Sequence, residues 1–174
     1  LVEMVFDPVA NLVDYLIAPA SVSAKIEREA VALAERTAEA YGLSGLLAVE
    51  LFLTKSGELL INEVAPRPHN SGHHTIESCI TSQFEQHLRG VLNLPLGSTE
   101  LLQPALMLNI LGEEGYQGET RYEGLDEVLA LPGVFVHLYG KQTMRPYRKM
   151  GHVTIMAEDR DSLLAKAEKE KASL

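Results

Sequence analysis

The sequence predicts an α+β chain in two parts, on three observations. Short apolar runs with period-two alternation recur along its length, the mark of half-buried strands. Between them lie longer stretches with apolar residues at helical spacing. Near Leu94–Gln103 the texture changes, with "NLPLGST" ending a helix, so residues 1–98 and 99–174 are expected to form separate domains.

Leu1–Phe6 ("LVEMVF") alternates and reads as a strand, Asp7–Asn11 ("DPVAN") as a turn, and Leu12–Ile17 as a second strand. Pro19 breaks that pattern. Ser23 is placed to N-cap a helix running to about Tyr41, with Ile26, Ala30, Leu33, Ala34 and Thr37 as its buried stripe and Gly42 as its C′ residue. "GLLAVELFLTKSGELLINEVA" predicts a β-hairpin about Ser56 and Gly57. Pro66–His74 is a polar loop. A helix from about Thr81 to Leu92 follows, with Phe84, His87, Leu88 and Val91 along one face. Beyond Pro104, "PALMLNIL" is a strand, "GEEGYQGET" a loop and "GLDEVLAL" a short helix. "PGVFVHLYG" is a strand, "KQTMRPYRKMG" a basic loop, "HVTIMAE" a strand, and "DRDSLLAKAEKEKASL" a solvated terminal helix.

With 174 residues and 46% hydrophobic content, the chain can bury a substantial core. A net charge of -9 argues against nucleic acid as the main partner. An acidic protein that binds an anion must gather its cations locally. The single cysteine, Cys79, cannot form an internal disulfide and fits a reducing, cytoplasmic setting, where it packs as a small hydrophobe. No apolar run reaches the ~18 residues of a membrane span, and no signal peptide is visible. The chain opens inside a strand without Met, so it is expected to be a piece of a longer protein.

If Ser56-Gly57 is a two-residue turn, Lys55 pairs with Glu58 and Glu50 falls opposite Glu63. Opposed residues of an antiparallel pair have Cβ atoms about 4.5–5.5 Å apart, and like charges there destabilise the sheet. A hard divalent cation would resolve the conflict and share its other positions with phosphates. Asn62 could add its amide oxygen only if a bulge turned it to the same face. The alternative is that one of these acids faces solvent, and another loop length would shift the register.

Just beyond lie Arg67, His69, Asn70, Ser71, Gly72, His73 and His74. Arginine grips phosphate or carboxylate bidentately, and small turn residues expose backbone N–H groups to an anion. Zinc is disfavoured, since adjacent His73 and His74 diverge on an extended chain and no cysteine cluster helps. The plainer reading is a surface loop of turn residues. Lys141, Arg145, Arg148 and Lys149, with His152 nearby, form an anion site if they converge and a solvated basic loop if they do not. His87 suits a packing or surface role, and His137 a structural one.

The run "LLAVELFLTKSGELLINEVAPRPHNSGHHTIESCITSQFEQHLRGVLNLPLG", with "PALMLNILG", "HLYGK" and "RPYRKMGHVT" after it in order, resembles the C-terminal half of the N5-carboxyaminoimidazole ribonucleotide synthase family of ATP-grasp ligases. The resemblance covers nearly the whole chain. It implies the C-terminal lobe of an ATP-grasp domain, an antiparallel sheet with helices, followed by a small β-rich domain. It implies a reaction of ATP, bicarbonate and 5-aminoimidazole ribonucleotide through carboxyphosphate, a Mg2+ or Mn2+ cofactor, and a homodimer. Carried over by motif, Glu50 and Glu63 hold the metal on the ATP phosphates, with Asn62 beside them. Arg67, His69 and Asn70 line the catalytic pocket. Lys141 and Arg148 bind the phosphate of the aminoimidazole ribonucleotide. Tyr147 stands where the family pattern leads one to expect glycine, which puts the loop shape around Arg148 in question. The N-terminal half of a family member, with its phosphate-binding lysines and most of the adenine pocket, is not in this chain, so the chain alone is expected to turn over poorly. The competing readings are another ATP-grasp enzyme, such as a glycinamide ribonucleotide transformylase or biotin carboxylase, and a non-catalytic nucleotide- or partner-binding domain.

Overall fold

A computed structural model of the chain describes residues 1–6 and 13–171; the turn expected at Asp7–Asn11 lies outside them. The chain divides into two compact units.

The first unit comprises Ala20–Leu101, with Leu1. Its long helix α1 (Ala24–Tyr41) is capped as the sequence predicts: Ser23 Oγ accepts the Ile26 N–H, and Gly42 closes the helix in the left-handed region at φ 57°. The hairpin follows as β3 (Ala48–Leu53) and β4 (Leu59–Ala65). Within the expected polar loop the chain makes a 3-10 turn at Asn70–Gly72, and one helical turn, α2 (Thr75–Ser78), follows it. Helix α3 (Gln83–Val91) starts behind Ser82, whose Oγ accepts the Glu85 N–H. Of the face expected along it, Phe84, Leu88 and Val91 are exposed.

The second unit comprises Val2–Pro19 and Leu102–Leu174. It holds β1 (Glu3–Phe6), β2 (Val13–Ala18), β5 (Ala105–Leu111), β7 (Val134–Leu138) and β9 (Lys149–Met156) in one antiparallel sheet of order β1-β2-β5-β9-β7. The boundary at Leu101 falls beside the expected residue 98, but Val2–Pro19 group with the C-terminal residues and not with the first part. Leu16, Ile17 and Ala18 are buried, and β2 runs beside β5 from Tyr15↔Leu108 to Ala18↔Ala105. A buried strand must satisfy its backbone groups on a neighbour, and here that neighbour lies in the C-terminal part. A short ribbon of β6 (Gly118–Glu119) and β8 (Thr143–Met144) links the two stretches read as loops. Helix α4 (Leu125–Leu129) lies where expected. Helix α5 (Arg160–Lys171) departs from the expected solvated helix: Leu163 and Ala167, four residues apart and so on one face, are buried with Ile155, Val153 and Leu106. Among the described residues no helix is long and apolar enough to cross a membrane.

One buried polar group sets a pH dependence. Ser78 Oγ donates to the His74 carbonyl at 2.8 Å, so the 2.7 Å contact between Ser78 Oγ and His74 Nδ1 uses the ring N–H as donor. Burial, aided by nearby positive charge, lowers the His74 pKa to about 4. The unfolded chain takes this proton near pH 6.5 and the folded chain does not, so stability is complete above that value and falls as pH drops toward 4. Urea titrations are expected to show about 2 kcal/mol less stability at pH 5 than at pH 7.5 from this group, and His74→Gln to remove that component. Equal pH slopes for the two proteins would exclude it.

Candidate active site

The acid pair forms, though not by the turn the sequence suggested. The loop spans Lys55, Ser56 and Gly57 between Thr54 and Glu58, closed by Thr54 N–H to Glu58 O at 2.9 Å, with Gly57 at φ 85°. That extra residue offsets the ladder, so Leu53 pairs with Leu59 and Leu51 with Ile61. Continued unbroken, it would put Asn62 opposite Glu50. A bulge between Leu51 and Glu50 shifts the register by one more residue, and Glu50 faces Glu63 after all. A bulge lets two residues of one strand oppose one of the other. Asn62 is the second: its Nδ2 donates to Glu50 Oε2 at 3.3 Å. Asn62 and Glu63 also line a cavity of about 410 Å³ with Arg36, Thr37 and Tyr41 of α1.

His69, which the resemblance puts in the same pocket, lies beside this pair. Its Nε2 lies 3.5 Å from Glu50 Oε1, and single ligand atoms of Glu50, Glu63 and His69 all fall within 4.8 Å of one another. The set is rich in hard oxygen donors, as Mg2+ or Mn2+ prefers. The imidazole is the doubtful member on chemical grounds. His69 Nδ1 accepts the Ser71 backbone N–H at 3.4 Å, a group that only donates. The ring proton therefore sits on Nε2, aimed at Glu50. In that tautomer His69 is a donor beside the carboxylates, and a cation bound here would be held by Glu50 and Glu63.

Gln83 holds His69 in place, and sequence reading passed over it. It is buried, its Oε1 accepts the His69 N–H at 2.8 Å, and its Nε2 donates to the His69 carbonyl at 2.8 Å. Gly72 permits this approach, for a Cβ there would lie 2.5 Å from Gln83 Oε1. An amide one residue behind a helix cap was the only available signal. Asn70 opens the 3-10 turn, its carbonyl accepting the His73 N–H. Arg67 is exposed, with Nη1 on the Pro68 carbonyl at 3.2 Å. His73 stacks on Phe84, and His87 accepts the Leu46 N–H. Burial raises the Cys79 thiol's pKa.

Lys141 and Arg148 belong to the second unit. Both fold onto one turn: Lys141 Nζ donates to the Lys149 carbonyl, and Arg148 Nη1 to Thr143 O and Oγ1 at 2.7 and 3.1 Å. His152, read as a neighbour of these cations, is buried in the sheet and stacked on His137. Tyr147 sits at φ 60°, a region that glycine enters freely and a side chain resists. Its phenol is hydrogen-bonded to the Glu114 carboxylate, which holds its pKa above the usual value. Tyr147→Gly is expected to raise the melting temperature by roughly 2 °C, because relief of the strained φ exceeds the added chain entropy. A lower melting temperature would show that the Tyr147–Glu114 contact outweighs the strain.

Comparison with known proteins places this geometry. The model of the ATP-grasp domain matches residues 8–84, and that of the phosphoribosylaminoimidazole carboxylase C-terminal domain matches residues 105–166. The N5-carboxyaminoimidazole ribonucleotide synthase of Bacillus subtilis (strain 168) is 48% identical over 151 residues, 87% of this chain and 38% of the relative. The chain belongs to the N5-carboxyaminoimidazole ribonucleotide synthase family. Its fold agrees: the crystal structure of the Thermotoga maritima synthetase superposes with a TM-score of 0.89 at 54% identity, over 91% of this chain and 44% of that one. The Aspergillus clavatus synthase, solved with ADP and 5-aminoimidazole ribonucleotide, gives 0.85 at 36% identity, over 96% and 46%. The chain thus spans less than half the length of these synthase relatives. The ATP-grasp match contains Glu50, Asn62, Glu63, Arg67, His69 and Asn70, and the C-terminal match contains Lys141 and Arg148.

Proposed function

We propose that this chain carries the metal and carboxylation half of a ligase that uses ATP and bicarbonate to carboxylate 5-aminoimidazole ribonucleotide, giving N5-carboxyaminoimidazole ribonucleotide, ADP and phosphate. The observation that carries the reading is the convergence of Glu50, Glu63 and His69 within 4.8 Å on a chain of this family. Two carboxylates opposed across a hairpin repel unless a cation lies between them. Mg2+ or Mn2+ held by Glu50 and Glu63 would neutralise charge developing on the ATP phosphate oxygens. Asn62 orients Glu50 by its amide hydrogen bond. In this reading Arg67 leaves the Pro68 carbonyl to grip the transferred phosphate and carboxyphosphate, a contact suited to its forked donors. His69, with its proton on Nε2, donates to the reacting anion and with Asn70 lines the pocket. Lys141 and Arg148 take the phosphate of the ribonucleotide, exchanging backbone carbonyls for phosphate oxygens.

The test is a chimera in which this chain replaces the matching segment of the Bacillus subtilis synthase. ADP release is expected to require both bicarbonate and 5-aminoimidazole ribonucleotide. Release stimulated equally by glycinamide ribonucleotide or biotin would move the chain to another ATP-grasp activity. ATP binding indifferent to Glu63→Gln would favour a non-catalytic module.

A further inference from the structure

The phosphate-binding assignment of Lys141 leaves open what keeps a flexible ammonium in position. Lys141 follows β7 by way of Tyr139 and Gly140. Tyr139 extends the β7–β9 pairing, its N–H donating to Met150 O at 2.9 Å. Gly140, at φ 65°, turns the chain so that Lys141 returns across the Tyr139 ring. The ammonium lies 5.5 Å from the ring centroid, within the range of a cation–π contact. The ring is itself pinned. Tyr139 Oη and His152 Nδ1 are 3.0 Å apart, and His152 is 3% exposed. His137 stacks on His152, with centroids 4.5 Å apart and planes at 11°. The register explains the stack, since His137 and His152 are direct partners across β7 and β9. A buried imidazole therefore fixes a phenol, and the phenol's face supports the lysine. In the sequence Tyr139 looks like an ordinary sheet residue, and His152 stands out only as a neighbour of the cations.

Resting on the reading of Lys141 as a phosphate ligand, we propose that Tyr139 is a positioning residue for that site. Its ring, anchored through Oη to His152, holds the Lys141 ammonium at the turn from Thr143 to Lys149, where a phosphate monoester is received. A lysine side chain loses considerable rotamer entropy when it is ordered, so a preformed support raises affinity without touching the ligand.

The experiment titrates the 174-residue chain with ribose 5-phosphate by NMR and calorimetry. Lys141→Met is expected to weaken binding about tenfold or more. Tyr139→Leu should weaken it about fivefold and abolish the ring-current shift of the Lys141 ε-methylene protons. Tyr139→Phe, which keeps the ring and loses only the tie to His152, should weaken binding about twofold. In the Lys141→Met background, Tyr139→Leu should cause no further loss. Equal losses from Tyr139→Leu in both backgrounds would mean that Tyr139 only supports the sheet, and the proposal fails. No loss from either Tyr139 variant also overturns it. If Tyr139→Leu does not fold, Tyr139→Phe decides by the same comparison. Should Lys141→Met leave affinity unchanged, or the unmodified chain bind no ribose 5-phosphate, the phosphate reading itself is wrong and the role of Tyr139 falls with it.

Discussion

Glu63→Gln is expected to lower the chain's affinity for Mn2+ or Mg2+ about a hundredfold or more while leaving its fold no less stable. Both halves follow from one geometry. Glu50 and Glu63 oppose each other across the hairpin, where like charges destabilise the strand pairing. Removing one charge relieves that cost in metal-free protein. It would also remove a direct oxygen ligand of the proposed metal, a larger change than losing a supporting partner of a ligand, which alone costs about 10–100-fold. Glu50→Gln should behave alike on metal and slightly worse on structure, because Glu50 also accepts from Asn62 and faces His69. Calorimetric titration measures the first half; melting curves in EDTA and in excess Mn2+ measure the second. Metal should raise the melting temperature of the unmodified chain and leave that of Glu63→Gln unchanged. Similar affinities for the two proteins would mean that the acids merely share a face.

How much of this was legible in the sequence depends on the range of the contact. The caps of α1 were readable at Ser23 and Gly42, because capping is settled within one turn of chain, and the start of α3 fell within two residues of the expected Thr81. The acid pair was readable for an incomplete reason. A two-residue turn without a bulge and a three-residue turn with one give the same Glu50–Glu63 register. Ser-Gly permits either turn, and no residue type marks a bulge, so Asn62's turn toward Glu50 could only be conditional. His69 was singled out, but its approach to Glu50 depends on how the 3-10 turn folds back, and that depends on a buried amide fourteen residues on, at Gln83. The placement of β1 and β2 was missed because strand pairing is a choice among distant partners. Nothing within residues 1–19 says that β5 is theirs. Helix α5 was read as solvated because its buried residues Leu163 and Ala167 form a stripe too narrow to stand out among charges.

Gly112→Ala carries the other large effect, at a position that sequence reading treated as the start of an ordinary loop. Gly112 is buried and is not needed for a left-handed backbone; it is needed because the basic turn lies against it. Its N–H donates to Arg148 O at 2.8 Å, and its carbonyl accepts the Tyr147 N–H at 2.8 Å. A Cβ there would lie 2.1 Å from Arg145 O and 3.0 Å from Met144 Cγ. The nearer obstacle is backbone, which cannot rotate aside. The turn carrying Arg148 must move by more than 1 Å to restore contact distance, breaking one or both hydrogen bonds. Overpacking of this kind costs about 1–3 kcal/mol. A displacement of that size at a binding constellation can cost on the order of a hundredfold in function. Ribose 5-phosphate affinity is expected to fall by more than for Lys141→Met, because Arg148 and the Lys149 carbonyl that seats Lys141 move together. Gly112→Ala and Tyr147→Gly thus separate two properties of one turn. The first leaves Tyr147's φ strained and removes the space that Arg145 requires. The second relieves the strain and keeps the space. If both variants bind ribose 5-phosphate as the unmodified chain does, the turn from Arg145 to Arg148 does not form the anion site.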